Sequence, residues 1–213
     1  RDARAIEIQK KLINVGHRHF VFSVPYKLRP LFWKCRKLFD CLFKTVDEAL
    51  HFSISLSKKD KKADYRLGFV AFLHTSGKSL NMHPHLHVLL AEALVDKFGN
   101  SKKIDFFPFE RLRKVFMFKF LSNANKVLKK HGDINLYKEF NKLRPNLYRD
   151  YKNGFYTYGP RSKTTISEET RLTNIKKIAN YIARYASHPP ISESNILSFD
   201  RDNNTVTWKY LDY

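Results

Sequence analysis

His74-Thr75-Ser76-Gly77-Lys78-Ser79-Leu80-Asn81-Met82-His83-Pro84-His85-Leu86-His87-Val88-Leu89-Leu90-Ala91 reads as the end of one β-strand, a connection and a further strand. Gly77, Ser79 and Asn81 mark the connection, Thr75 to Pro84. His85 to Ala91 is apolar enough to be a strand. Alternate side chains of a strand share a face, so His85 and His87 point one way and Leu86 and Val88 the other. Two imidazoles about 7 Å apart along a strand can converge on one divalent ion. If Thr75 to Pro84 is a hairpin loop, His74 lies directly across from His85 as a third imidazole. His83 competes for that place, being in phase with His85 if the strand starts early. The plain alternative is that these histidines cap a strand and pack.

Outward from this hairpin, Arg66 to His74 is the preceding strand. His19 to Val24 is an earlier one, ended by Pro25. Between them, Leu31 to Leu56 is helical, with Leu31, Cys35, Leu38, Leu42, Val46, Ala49 and Phe52 recurring at three and four residues. Arg1 to Ile13 reads as a short helix and Lys58 to Lys62 as a solvated loop. Beyond the hairpin, Phe109 to Lys130 is a long helix and Leu136 to Leu143 a short one. Arg144 to Thr165 is irregular, basic and rich in tyrosine. Thr173 to Ser187 is helical, stopped by Pro189-Pro190, and Thr205 to Tyr210 is a last strand. Strands and helices do not alternate strictly, which favours an α+β fold on an antiparallel sheet over a doubly wound parallel one.

The chain has 213 residues, with 40 Lys and Arg against 20 Asp and Glu, a formal net charge of +20. That excess points to a polyanion, a nucleic acid above all. An apolar fraction of 43% excludes a disordered basic tail. No run of about 18 apolar residues is present, so no spanning helix is expected. The cysteines, Cys35 and Cys41, lie in a helical stretch and make no paired zinc site, which suits a reducing compartment. The first residue is Arg, and the chain is expected to be a fragment or a processed form.

Asn180-Tyr181-Ile182-Ala183-Arg184-Tyr185-Ala186 lies in the predicted Thr173 to Ser187 helix. Tyr181 and Tyr185, four apart, fall on one side of it, at the edge of a stripe formed by Ile175, Ile178, Ala179, Ile182 and Ala186. Arg184 falls on the polar side. Two amphipathic tyrosines with their hydroxyls in water is the ordinary reading. A phenol has a pKa of about 10, so a tyrosine nucleophile benefits from a positive field and a metal that polarises its target. The histidine strand could supply the metal.

A His-hydrophobe-His strand with Tyr-X-X-X-Tyr on a later helix resembles the signature of HUH endonucleases with two tyrosines. The fuller likeness is to rolling-circle transposases of the insertion sequence 91 type. It rests on His19-Phe-Val-Phe-Ser-Val-Pro25, His74 through His87, and Tyr181-Ile-Ala-Arg-Tyr185 followed by Pro189-Pro-Ile-Ser192. The resemblance implies a central antiparallel sheet flanked by helices. It implies nicking of single-stranded DNA at an element's ends through a 5′-phosphotyrosine. Tyr181 and Tyr185 match the tyrosine pair, and His85 and His87 match the metal-binding pair for Mg²⁺ or Mn²⁺. His74 matches a family position, and its role as third ligand is inferred. Members usually carry a cysteine-rich zinc module before this region, and a fragment that omits it, or whose boundary excludes it, is expected here.

Arg144 to Lys152 and Tyr156 to Lys163 interleave cations with aromatic rings. Arg149, Tyr151, Lys152, Arg161, Lys163 and Arg184 are the candidate DNA contacts, cations neutralising phosphates and rings stacking on unpaired bases. A solvated loop is the alternative. His17 and His19 are expected to be structural or to support a ligand from behind, and His51 and His131 have no assigned partner. A single catalytic domain over residues 1–213 is expected, with a helical and basic insertion at about 100–165. The expected protein is a prokaryotic, cytoplasmic, nucleoid-associated transposase acting on single-stranded DNA, away from membranes. Two other readings stay open: a plasmid or phage replication initiator with the same chemistry, and a non-catalytic module that binds single-stranded nucleic acid.

Overall fold

Alternating burial marks the first strand, β1 (His17–Ser23). Phe20 and Phe22 are fully buried, whereas His17, His19 and Val21 are partly exposed. The computed structural model describes residues 15–54, 62, 64–77, 81–104, 107–159 and 193–209. After β1 come a 3-10 turn (Tyr26–Leu28) and helices α1 (Arg29–Lys34) and α2 (Lys37–Ser53). Strands β2 (Arg66–Ser76), β3 (Met82–Val95) and β4 (Ser101–Lys103) follow, then helices α3 (Phe109–His131) and α4 (Ile134–Asp150), and β5 (Thr157–Tyr158). A second short turn (Glu193–Asn195) leads into the hairpin β6 (Ile196–Asp200) and β7 (Thr205–Trp208).

The main sheet has the order β2-β3-β1-β5, with β4 also paired to β3, and every pairing is antiparallel. Phe20, Phe22, Leu86, Val88 and Leu90 from one face of the sheet share a core with Leu38, Leu42 and Val46 of α2, Phe116 and Phe120 of α3, and Phe140 and Leu147 of α4. The helices therefore cover one face. The fold is α+β on a central antiparallel sheet, as the sequence indicates. Helices α3 and α4, within the region read as an insertion, bury residues in that same core. Among the described residues, no helix is long and apolar enough to cross a membrane.

Several boundaries differ from expectation. The helix read over Leu31 to Leu56 is two helices. Pro30 sits in the first turn of α1, and the backbone at Cys35 turns extended (φ −137°, ψ 93°) before α2 begins. The helix read over Leu136 to Leu143 runs on to Asp150. The Asp133 carboxylate caps its start by accepting from the Leu136 N–H at 2.8 Å. Pro145 lies inside it but faces solvent, while Leu147 is buried and Tyr148 packs its ring 5.3 Å from Phe118. Tertiary packing outweighs the hydrogen bond lost at proline, so residues 144–150 are helical rather than irregular. Strand β3 starts earlier and ends later than His85 to Ala91, gaining β4 as a partner beyond Gly99 (φ +87°). Asp96 stabilises that turn, its carboxylate accepting from the N–H groups of Phe98 and Asn100 at 2.9 and 2.8 Å. The helices read over Arg1 to Ile13 and Thr173 to Ser187 lie outside the described residues.

Candidate functional site

The sheet face opposite the helices collects histidines. The pairing of β1 with β3 sets Ser23 opposite His85 and Val21 opposite His87. On the other side, β2 sets His74 opposite His85 and Phe72 opposite His87. The expected hairpin register of His74 against His85 is the one present. Ring centroids lie 5.2 Å apart for His74 and His85, 4.6 Å for His74 and His87, and 5.0 Å for His85 and His87. One ring nitrogen from each of the three lies within 4.8 Å of the others.

Neighbouring groups orient two of these rings. His85 Nδ1 lies 2.6 Å from the His83 carbonyl oxygen. A carbonyl only accepts, so His85 donates from Nδ1 and keeps its lone pair on Nε2. His87 Nδ1 lies 2.8 Å from His19 Nε2, with the two ring planes nearly parallel. That bond likewise directs the Nε2 of His87 away from His19. The His83 side chain turns elsewhere: its Nε2 is 2.7 Å from the Ser23 hydroxyl.

The cluster favours neutral imidazoles. Burial, with the charge of His74, His85 and His19 adding to it, pushes His87 down to about 3. Burial and the Arg29 guanidinium, with a contribution from His85, push His83 down to about 4. His85 is lowered chiefly by burial, and by Arg29 against the opposing pull of the His83 carbonyl. His19 is lowered by burial. At neutral pH these rings are uncharged, each with one N–H and one nitrogen lone pair, the form a metal ligand needs. Arg29 donates from Nε to the Val24 carbonyl oxygen at 3.3 Å and sets a positive charge beside the histidines. Three imidazoles converging from two adjacent strands, two of them held from behind, fit a divalent metal ion.

The family model described as "Y2_Tnp: Putative transposase" matches residues 68–213, more than half of the chain. The chain belongs to this transposase family. It is 29% identical over 204 residues to the "Transposase for insertion sequence element IS801" of Pseudomonas savastanoi pv. phaseolicola, covering 92% of this chain and 45% of that protein. It is 23% identical over 211 residues to "Putative transposase y4qJ" of Sinorhizobium fredii, covering 95% of this chain and 50% of the relative. The chain thus spans about half the length of the curated relatives it matches. The motif-based resemblance to two-tyrosine transposases of insertion sequences agrees with this membership. Structures of the conjugative relaxase TrwC with oriT DNA align at TM-scores of 0.39 (metal-free; 14% identity, 79% of this chain and 74% of that one) and 0.35 (metal-bound; 13% identity, 76% and 70%).

Tyr181, Tyr185, Arg161, Lys163 and Arg184 lie outside the described residues. Arg149 and Lys152 are exposed at the end of α4, and Arg149 pairs with Asp150 at 3.3 Å. Asp150 also holds Lys27 at 2.9 Å, docking the turn after β1 onto α4. The Tyr151 ring packs edge-on against Phe155, with centroids 5.3 Å apart. His51 pairs with Asp47 at 3.1 Å on the surface of α2, and His17 Nδ1 meets the Val15 carbonyl oxygen at 2.9 Å. Ser23 and Arg29 were not singled out. Ser23 was readable, being in phase with His19 on its strand, whereas Arg29 reaches the site only through the turn that follows.

Proposed function

We propose that this chain carries the nicking and rejoining chemistry of a rolling-circle transposase acting on single-stranded DNA at transposon ends. The convergence of His74, His85 and His87 on one sheet face carries the reading, together with membership in the transposase family. His74, His85 and His87 would hold the ion, Mn²⁺ or Mg²⁺, and the all-imidazole set suits Mn²⁺ better because Mg²⁺ prefers oxygen ligands. When bound, such an ion draws charge from the scissile phosphate.

The chain's own groups do the rest. His19 and the His83 carbonyl hold two of the imidazoles in orientation. Arg29 adds a fixed positive charge beside them. Tyr181 or Tyr185 attacks phosphorus, forming a phenolic O–P bond and breaking the P–O3′ bond. The products are a 5′-phosphotyrosine and a free 3′-hydroxyl. A later 3′-hydroxyl attacks the same phosphorus and releases the tyrosine, so the bond energy is conserved and no nucleotide cofactor is consumed. The second tyrosine permits a second cleavage while the first end is still held.

Incubation with single-stranded DNA carrying the element end and Mn²⁺ should give a covalent adduct on a denaturing gel. The adduct should be lost when Tyr181→Phe and Tyr185→Phe are combined. A wild-type protein that forms no adduct, or an adduct that survives the double substitution, would overturn the reading.

A further inference from the structure

On the edge strand β5, Thr157 is buried and Tyr158 exposed, and Tyr156 just before it is exposed. Val21 faces Tyr158 across the β1–β5 pairing, and the Ser23 N–H donates to the Tyr156 carbonyl oxygen at 3.1 Å. Because partners in register share a face, both tyrosines lie on the histidine face. Two rows cross the sheet: Tyr158, Val21, His87, Phe72 and Tyr156, Ser23, His85, His74. With strands about 4.8 Å apart, each tyrosine backbone lies roughly 10 Å from the histidine in its row. That gap is a few nucleotides at most, since a stacked strand advances about 3.4 Å per nucleotide and an unstacked one more.

The short strand is pinned from its other face. Phe155 and Thr157 are fully buried on the core side. Gly154 takes φ +82° and lies against the α3 backbone at Arg113, where no side chain would fit. Arg113 Nε donates to the Thr157 carbonyl oxygen at 3.2 Å. At Gly159 an added Cβ would lie 2.6 Å from the Phe109 ring. Tyr156 and Tyr158 nevertheless leave 58% and 50% of their surface exposed. Two large exposed rings on a strand pinned from its other face, with their neighbours already filling the core, are not needed to hold the fold. They are pre-organised to receive flat apolar groups.

We propose that Tyr156 and Tyr158 form a stacking ledge for unpaired bases of single-stranded DNA next to the phosphate held at the histidine cluster. This deepens the transposase reading and rests on it for where the phosphate sits. Stacking on rings is tolerant of base identity, so the ledge holds the strand in place without reading its sequence.

The test is binding in EDTA, followed by fluorescence anisotropy with a labelled oligothymidylate and an abasic strand of equal length. Combined Tyr156→Ala and Tyr158→Ala should weaken oligothymidylate binding roughly tenfold to a hundredfold. Combined Tyr156→Phe and Tyr158→Phe should stay within about twofold, because stacking needs the ring and not the hydroxyl. Wild type should bind the abasic strand as weakly as the alanine variant does. Unchanged oligothymidylate binding by the alanine variant overturns the proposal, as does an equal loss on the abasic strand. If circular dichroism shows the alanine variant unfolded, the wild-type comparison of the two strands and the phenylalanine variant decide. Equal wild-type affinities for the two strands then overturn it. A covalent adduct in Mn²⁺ with ring-independent binding removes the ledge alone, and ring-dependent binding without an adduct removes the nicking reading alone.

Discussion

His19 Nε2 lies 2.8 Å from His87 Nδ1, and the two rings have centroids 5.0 Å apart and planes 7° from parallel. One histidine therefore holds the rotamer of another and turns its Nε2 toward the far side of the ring. His19→Ala should let the His87 ring turn and lower Mn²⁺ affinity by roughly 10–100-fold, the usual effect of losing a group that supports a ligand. His19→Gln, whose amide can reach His87, should recover part of that loss. Isothermal titration calorimetry checks both, and an unchanged affinity in His19→Ala would show that His87 does not depend on its neighbour.

His74 and His83 compete for the third ligand position in sequence, and their contacts separate them. His74 offers a ring nitrogen to the same space as His85 and His87, whereas the His83 side chain bonds Ser23 and its carbonyl orients His85. His74→Ala should cost at least about tenfold in metal affinity and abolish adduct formation. His83→Ala keeps the carbonyl and should cost less than about tenfold. The two affinities measured side by side decide, and the reverse order would make His83 the ligand.

The lowered histidines set a pH dependence for the metal-free protein. His87 is pushed down to about 3 and His83 to about 4, in each case first by burial, from an ordinary value of 6.5. Above pH 6.5 both are neutral whether folded or unfolded, so they leave stability unchanged. As pH falls below 6.5 the unfolded chain binds protons that the folded chain refuses, and stability drops until the folded values near 3 to 4 are passed. Thermal unfolding in EDTA should show Tm falling from pH 6.5 to 4, with a shallower fall in His83→Asn. Equal slopes for the two proteins would remove His83 from the effect.

The core and the histidine pairing were legible because both rest on local periodicity. Alternation along β3 put His85 and His87 opposite Leu86 and Val88, and Gly77 and Asn81 marked the turn that sets His74 across from His85. What escaped was settled by distant contacts. Two-residue β5 shows no periodicity of its own, and it exists because Phe155 and Thr157 fit under the sheet and Gly154 fits against α3. Helix α4 outlasts Pro145 because Leu147 finds the core. Arg29 stands beside His83 and His85 because the turn after Pro25 folds back on them, a placement that no spacing in the sequence encodes.

Arg18 is the buried charge of β1. Its Nε and Nη2 reach one Glu92 carboxylate oxygen at 2.7 and 2.6 Å, and its guanidinium lies 4.2 Å over the Phe107 ring. Glu92 in turn ties the start of β1 to β4, its N–H donating to the Gly16 carbonyl and its carbonyl accepting from Ile104 at 2.7 and 2.9 Å. Removing only the carboxylate strands the guanidinium, so Glu92→Ala should destabilise by about 3 kcal/mol or more. Arg18→Met with Glu92→Leu removes both charges and fills the space, and should regain most of that loss, since a buried ion pair can be replaced by apolar residues at little cost. Urea unfolding of the two variants checks the pair. If the double variant is no more stable than Glu92→Ala, the loss comes from packing under Phe107 rather than from an uncompensated charge.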